Sequence, residues 1–292
     1  MKWRKVGRSA NMEDRRGMGG GLPGGALPIA GLGIPGIIIV VVLALLGGGN
    51  VIGGGGGGFD VNAPLNQFPA APQGDRTSVQ PLGARGEFVN FVFEDVQSFW
   101  QDRFQKAGRQ YSPAGIVLFT GGTSTACGAG QSGMGPFYCP RDSKVYIDLG
   151  FYDELARRFG APGDFAQAYV IAHEMGHHVQ NLLGIDDQVR RQMDQSPDQQ
   201  NELSVRQELQ ADCFAGVWAH STYERGMLEK GDLQEGLRAA AAVGDDRLQQ
   251  QAGGRVNPET WTHGSSQQRE TWFDRGFTSG SPDDCDTFNG DI

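Results

Sequence analysis

No charged residue falls between Gly17 and Phe59, and no basic stripe occurs anywhere in the 292 residues. The formal charge is −9 overall. Residues 1–16 carry Lys2, Arg4, Lys5, Arg8, Arg15 and Arg16 against Glu13 and Asp14, a balance of +4, which leaves −13 for the remainder. An acidic body of this kind argues against nucleic acid as a partner. Cysteine is scarce: Cys127, Cys139, Cys213 and Cys285 are the only four, none in a CxxC pair, which argues against a structural zinc knot. Their even number suits two disulfides. Cys127–Cys139 would close a short loop and Cys213–Cys285 would tie the tail to a central helix; four unpaired buried thiols are the alternative. Histidine is scarce too, with five residues in all: His173, His177, His178, His220 and His263. Internal repeats are absent.

Glycine, by contrast, is abundant, and much of it lies before residue 60. Within the uncharged span, Ala26 to Gly47 reads ALPIAGLGIPGIIIVVVLALLG, long enough for a bilayer-spanning helix and lacking polar residues at helical spacing. The sequence therefore predicts a basic cytoplasmic tail over residues 1–24, one transmembrane anchor over 25–47 and a Gly/Pro-rich linker over 48–86. Basic residues precede the run and almost none follow it, so the domain over 87–292 is expected outside the cytoplasm.

From residue 87 the texture becomes globular. Phe88, Phe91, Val92, Val96, Phe99 and Phe104 mark an amphipathic helix. Ser143–Leu149 alternates and predicts a half-exposed strand that could pair with an extended substrate. Further helices are expected over Tyr152–Phe159, from an Asp164 N-cap to Gly184, over Asn201–Tyr223, over Asp232–Gln251 and over Ser265–Phe277, with a polar connection between the second and third. The fold class is α+β, a helix-dominated domain with a small sheet.

The chemistry concentrates in two helical segments. His173-Glu174-Met175-Gly176-His177 is an HExxH motif: imidazoles four residues apart share one helix face, about 6 Å from each other, and can reach one ion. Glu174 stands beside that face, where it can reach a water without ligating the metal. A metzincin would need Gly at 180 and His at 183, where Gln180 and Leu183 stand. Downstream, Glu208-Leu209-Gln210-Ala211-Asp212 offers two carboxylates one turn apart in an apolar stretch, where they need a strong partner. Glu208 can be the third ligand to Zn2+, and Asp212 can accept an imidazole N–H from behind. His178 points away from this face, and His220 is structural or on the surface.

HEMGH, ELQAD and THGSSQQR together resemble the neutral zinc metallopeptidases of the YpfJ type, bacterial membrane proteins with a gluzincin-like arrangement. The segments GPFYCPRDSKVYIDLGFY, ADCFAGVWA and CDTF extend the resemblance over residues 87–288. It implies a zincin-like metallopeptidase fold, zinc ligation by His173, His177 and Glu208, Glu174 as the catalytic residue, and a peptide or protein substrate. A second likeness, to CAAX-prenyl-protease and HtpX-like enzymes, rests on His263 and Arg269 six residues apart, with Gly264 where proline is usual. It implies oxyanion or substrate support from these two; a capping or packing role is the alternative for His263. Intact ligands also fit a zinc-bound, non-hydrolytic binding or assembly protein of the envelope.

Overall fold

Residues 1–17, 81–253 and 255–292 are described by the computed structural model. The aromatic stripe after residue 86 forms helix α1 (Gly83–Lys106), whose Phe88, Val92, Val96 and Trp100 recur at one-turn spacing and are buried. Strands β1 (Met12–Asp14), β2 (Gly115–Phe119), β5 (Phe137–Cys139) and β6 (Lys144–Asp148) form one sheet in the order β1-β2-β6-β5, while β3 (Gly122–Thr125) and β4 (Gly128–Gln131) pair separately as a hairpin. β1, β2 and β6 run parallel, and β5 runs antiparallel to β6. The alternation in Ser143–Leu149 predicts half exposure, but β6 lies between two strands, and Val145, Tyr146 and Ile147 are all buried. The face expected to meet solvent is covered by a second apolar cluster, in which Tyr146 packs with Val117, Phe119 and Cys139, while Val145 and Ile147 face the main core.

The helical layer comprises α2 (Phe151–Arg157), α3 (Asp164–Leu183), α4 (Ile185–Gln195), α5 (Gln200–Glu224), α6 (Asp232–Ala242), α7 (Asp245–Gln251) and α8 (Ser266–Ser279). α4 occupies what reads as a polar connection; it buries only Asp186, Val189 and Met193. The single helix expected over Asp232–Gln251 is two. A Cβ on Gly244 would lie 2.3 Å from the backbone nitrogen of Ser266, so the chain breaks there to let the segment before α8 pass. Asp164 is not the cap of α3: Gly163 precedes the helix, and Glu235 accepts the N–H of Phe165 at 3.1 Å.

Glycines set how closely the helices cross. A Cβ on Gly216 of α5 would sit 2.0 Å from the Phe273 carbonyl oxygen, and one on Gly276 of α8 would sit 2.0 Å from that of Cys213. These helices therefore touch backbone to backbone. α3 meets α5 at Gly176, where a Cβ would stand 3.0 Å from Ala211 Cα. α5 is thus packed between the two, meeting α3 through Ala211 and α8 through Cys213 and Gly216.

The N-terminal segment departs furthest from expectation. A cytoplasmic tail cannot touch a domain on the far side of a bilayer, yet Met12, Glu13 and Asp14 pair with Ile116, Val117 and Leu118. Met1 is buried, with its amino group 2.6 Å from Asp164 and 3.2 Å from Asp232. Asn90 of α1 binds the backbone of Gly7 and Ser9. Residues 1–16 thus belong to the same body as the site, which overturns the single-pass placement. No helix among the described residues is long and apolar enough to cross a membrane. The segments assigned to the anchor (25–47) and to most of the linker (48–80) lie outside the described residues; the last residues of that linker, from Gly83, begin α1.

Both disulfides are present. Cys127–Cys139 fastens the turn between β3 and β4 to the end of β5, and Cys213–Cys285 fastens the C-terminal segment to α5.

Candidate metal centre

His173, Glu174 and His177 project from one buried stretch of α3, and Glu208 and Asp212 from the facing stretch of α5. Nε2 of His173 lies 3.2 Å from Glu208 Oε2, and Nε2 of His177 lies 3.5 Å from Glu208 Oε1. One donor atom from each of the three residues lies within 4.8 Å of the others. The rear nitrogens are committed elsewhere. Nδ1 of His173 is 2.8 Å from Asp212 Oδ1, and Nδ1 of His177 is 2.9 Å from Gln180 Oε1. Both partners are oxygens that can only accept, so each Nδ1 carries a proton and each Nε2 presents a lone pair.

Two lone pairs and a carboxylate converging on one buried point repel one another unless a cation lies between them. Two imidazoles and one carboxylate are a donor set that suits zinc and leaves a fourth tetrahedral position open. The same demand for positive charge shows in the titration of His177: burial lowers its pKa, but Glu208 beside it raises it further, up to about 10. Burial also raises Glu208, and His177 and His173 more than reverse it, holding Glu208 well below the usual carboxylate range.

Asp212 is fully buried and held on all sides. Arg269 donates from Nε to Oδ2 at 2.8 Å and from Nη2 to Oδ1 at 3.0 Å, and the Tyr169 hydroxyl donates to Oδ1. Arg269 is 2% exposed, and its guanidinium is committed to Asp212 and Tyr169, so it supports the rear of His173. Glu174 makes no side-chain hydrogen bond among the described residues. Burial raises its pKa against the pull of His173 and His177.

His263 lines the same cavity of about 170 Å³ as His173, Glu174, His177 and Glu208. Its Nδ1 is 3.0 Å from Asp245 Oδ1, and Asp245 Oδ2 accepts the backbone N–H groups of Thr262, His263 and Gly264. Nε2 of His263 has no partner among the described residues. The remaining lining is mainly apolar, with Met134, Phe151, Phe159, Val170 and Leu248. Phe137 and Tyr138 of β5 form one wall. β6 is paired on both sides, so the sheet edge that faces the cavity is β5 and not the strand expected to receive a peptide.

The two remaining histidines are structural. His178 bridges the Tyr138 hydroxyl (2.9 Å) and the Ser112 carbonyl (2.8 Å), and His220 binds the Phe277 carbonyl. Sequence reasoning overlooked Tyr169, Gln180 and Asp245. The first two stand four residues before His173 and three after His177, so helical spacing could have flagged them. Asp245 carries no such signal.

Residues 1–288 match the family described as "Putative neutral zinc metallopeptidase". The chain is also 48% identical to the protein YpfJ of Escherichia coli (strain K12), over 298 aligned residues that cover the whole of both chains. This chain belongs to that zinc metallopeptidase family. An uncharacterized protein of Mycobacterium tuberculosis (strain ATCC 25618 / H37Rv) is 48% identical over 190 residues, 61% of this chain and 64% of that one. No solved structure matches the chain. Family membership accords with the resemblance carried by HEMGH, ELQAD and THGSSQQR, and the convergent donors give it a physical basis.

Proposed function

We propose that the protein is a zinc-dependent endopeptidase whose working residues are His173, His177, Glu208, Glu174 and His263. The observation that carries this reading is the convergence of two Nε2 lone pairs and the Glu208 carboxylate on one point, beside a Glu174 whose carboxylate has no hydrogen-bond partner among the described residues. His173, His177 and Glu208 would hold the metal. Zinc in such a site supplies a Lewis acid that acidifies water and polarises a carbonyl.

The chain's own groups do the rest. Glu174 takes a proton from the attacking water as its oxygen bonds to the peptide carbon. The same carboxyl returns that proton to the amide nitrogen as the C–N bond breaks. His263 in its doubly protonated form, with Nδ1–H held by Asp245, donates from Nε2 toward the carbonyl oxygen as negative charge develops there. The free edge of β5 offers backbone groups to an extended peptide, and the apolar walls exclude water.

Glu174→Gln tests the reading. The amide keeps the size and cannot accept the proton, so peptidase activity should fall by roughly 10²–10⁴-fold or more while zinc content and fold persist. Wild-type cleavage rates from the variant would remove the mechanism. A wild type that holds zinc and cleaves no peptide would favour the non-hydrolytic binding protein.

A further inference from the structure

His173 and His177 are held from behind in different ways, and the difference at His177 extends to the tail of the chain. Gln180 is fully buried one turn beyond His177. Its Nε2 lies 2.7 Å from the Gln207 carbonyl and 3.1 Å from Gln210 Oε1. Gln210, also buried, places its own Nε2 3.0 Å from the Cys285 carbonyl. Cys285 is bonded to Cys213, three residues along the same helix as Gln210.

The two backbone carbonyls fix the direction of every bond in this chain. A carbonyl accepts only, so the Cys285 carbonyl must meet the nitrogen of Gln210 and the Gln207 carbonyl that of Gln180. Gln210 then turns its oxygen to Gln180, and Gln180 turns its oxygen to His177. The Nδ1 of His177 is left as the donor, and Nε2 faces Glu208 with its lone pair. No amide in the sequence of contacts can be turned over without facing two donors or two acceptors together.

We infer that Gln180 is a positioning residue for His177, and that Gln210 and the disulfide-tied carbonyl of Cys285 hold it in register. The inference rests on the reading of His173, His177 and Glu208 as zinc ligands. It assigns a specific job to the Gln180 oxygen, namely accepting the Nδ1 proton. His173 has an anion in that place, compensated by Arg269, whereas His177 has a neutral amide.

The test measures zinc affinity by competition with a chromogenic chelator on the full chain, alongside metal-free melting by circular dichroism. Gln180→Leu should weaken zinc binding by roughly 10–100-fold, the range for loss of a hydrogen bond behind a ligand. Gln180→Glu keeps an acceptor oxygen on Nδ1 but turns its other oxygen on the Gln207 carbonyl and Gln210 Oε1, so its metal-free melting should fall while it loses clearly less zinc affinity than Gln180→Leu, a separation that a mere packing role would not produce. Gln210→Leu should give an intermediate loss, because the Gln207 carbonyl still holds Gln180. Wild-type affinity in Gln180→Leu overturns the inference, as does a Gln180→Glu loss as large as that of Gln180→Leu. If Gln180→Leu does not fold, the Glu and Gln210 variants decide: wild-type affinity in Gln210→Leu, or loss of zinc by a folded Gln180→Glu, overturns it. A wild type that binds zinc no better than His177→Ala would instead overturn the zinc reading beneath it.

Discussion

The Asp212 carboxylate lies 2.8 Å from Nδ1 of His173, and its other oxygen is clamped by Arg269 at the same distance. The pair joins a metal-facing imidazole to a buried ion pair, so two separable effects should follow from its loss. Asp212→Ala strands the Arg269 cation in the interior, which should destabilise the fold by about 3–5 kcal/mol in urea denaturation. It should also weaken zinc binding by roughly 10–100-fold. Adding Arg269→Met should restore most of the stability and none of the affinity. Affinity that returns with stability would show that Asp212 acts only as a counter-ion.

His263 and Asp245 should separate catalysis from metal binding. His263→Ala removes the proposed donor and should lower kcat by roughly 10²–10³-fold with zinc content unchanged. Asp245→Asn keeps an oxygen for the loop backbone but weakens the hold on the ring, so a smaller fall is expected. Steady-state kinetics on a peptide substrate with parallel metal analysis checks both; a kcat within twofold of wild type for His263→Ala would remove the donor role.

The α5–α8 crossing predicts a sharp contrast among glycines. A Cβ on Gly216 or Gly276 would press to 2.0 Å on a backbone oxygen, so Gly216→Ala or Gly276→Ala must push the helices apart. The expected cost is about 1–3 kcal/mol or more. Nothing lies within 4 Å of a Cβ on Gly7, and Gly7→Ala should be close to neutral. Urea midpoints compare the three, and equal midpoints would refute the contact.

Asp186 should make the metal-free protein less stable as pH rises. It is buried on α4, and its Oδ1 accepts from Gln207 Nε2 at 2.6 Å. Burial pushes its pKa up to about 6, against the pull of His177 and Arg190. The unfolded chain releases this proton near pH 4, so between about 4 and 6 the folded state binds more protons and stability falls as pH rises. The full loss above that window is roughly 3 kcal/mol. Asp186→Asn keeps the acceptor and removes the titration, so it should exceed wild type in stability at neutral pH and match it near pH 4. Denaturation in chelator at several pH values checks this; parallel curves would contradict it.

What could be read before the fold was known was what helical spacing encodes. Two histidines at i and i+4, and two carboxylates at i and i+4, share faces through local geometry alone, so His173, His177, Glu208 and Asp212 come together as expected. The apolar setting of Glu208 and Asp212 pointed to a strong counter-charge. Arg269 supplies it for Asp212, which the sequence placed in a different role. The parallel pairing of Met12–Asp14 with Ile116–Leu118 spans about a hundred residues and leaves no local trace. Its basic neighbours mimic the flank of an anchor, which is why the segment reads as a tail. Asp245 likewise becomes visible only through the break at Gly244, where the close passage of Ser266 requires a glycine and the Gly-Asp-Asp sequence ends one helix and opens the next.

The two disulfides grip opposite banks of the cleft. Cys139 closes the edge strand that forms one wall, and Cys213 follows Asp212 directly on the helix that forms the floor. Their loops of 12 and 72 residues correspond to roughly 3 and 4 kcal/mol of restraint on the unfolded chain. A thiol reductant added during purification would therefore loosen the wall and the floor together while leaving every proposed metal-binding and proton-transfer residue chemically unchanged. Preparations handled with and without reductant are, in effect, two different molecules, and the mobility of the band on a non-reducing gel tells which one is in the assay.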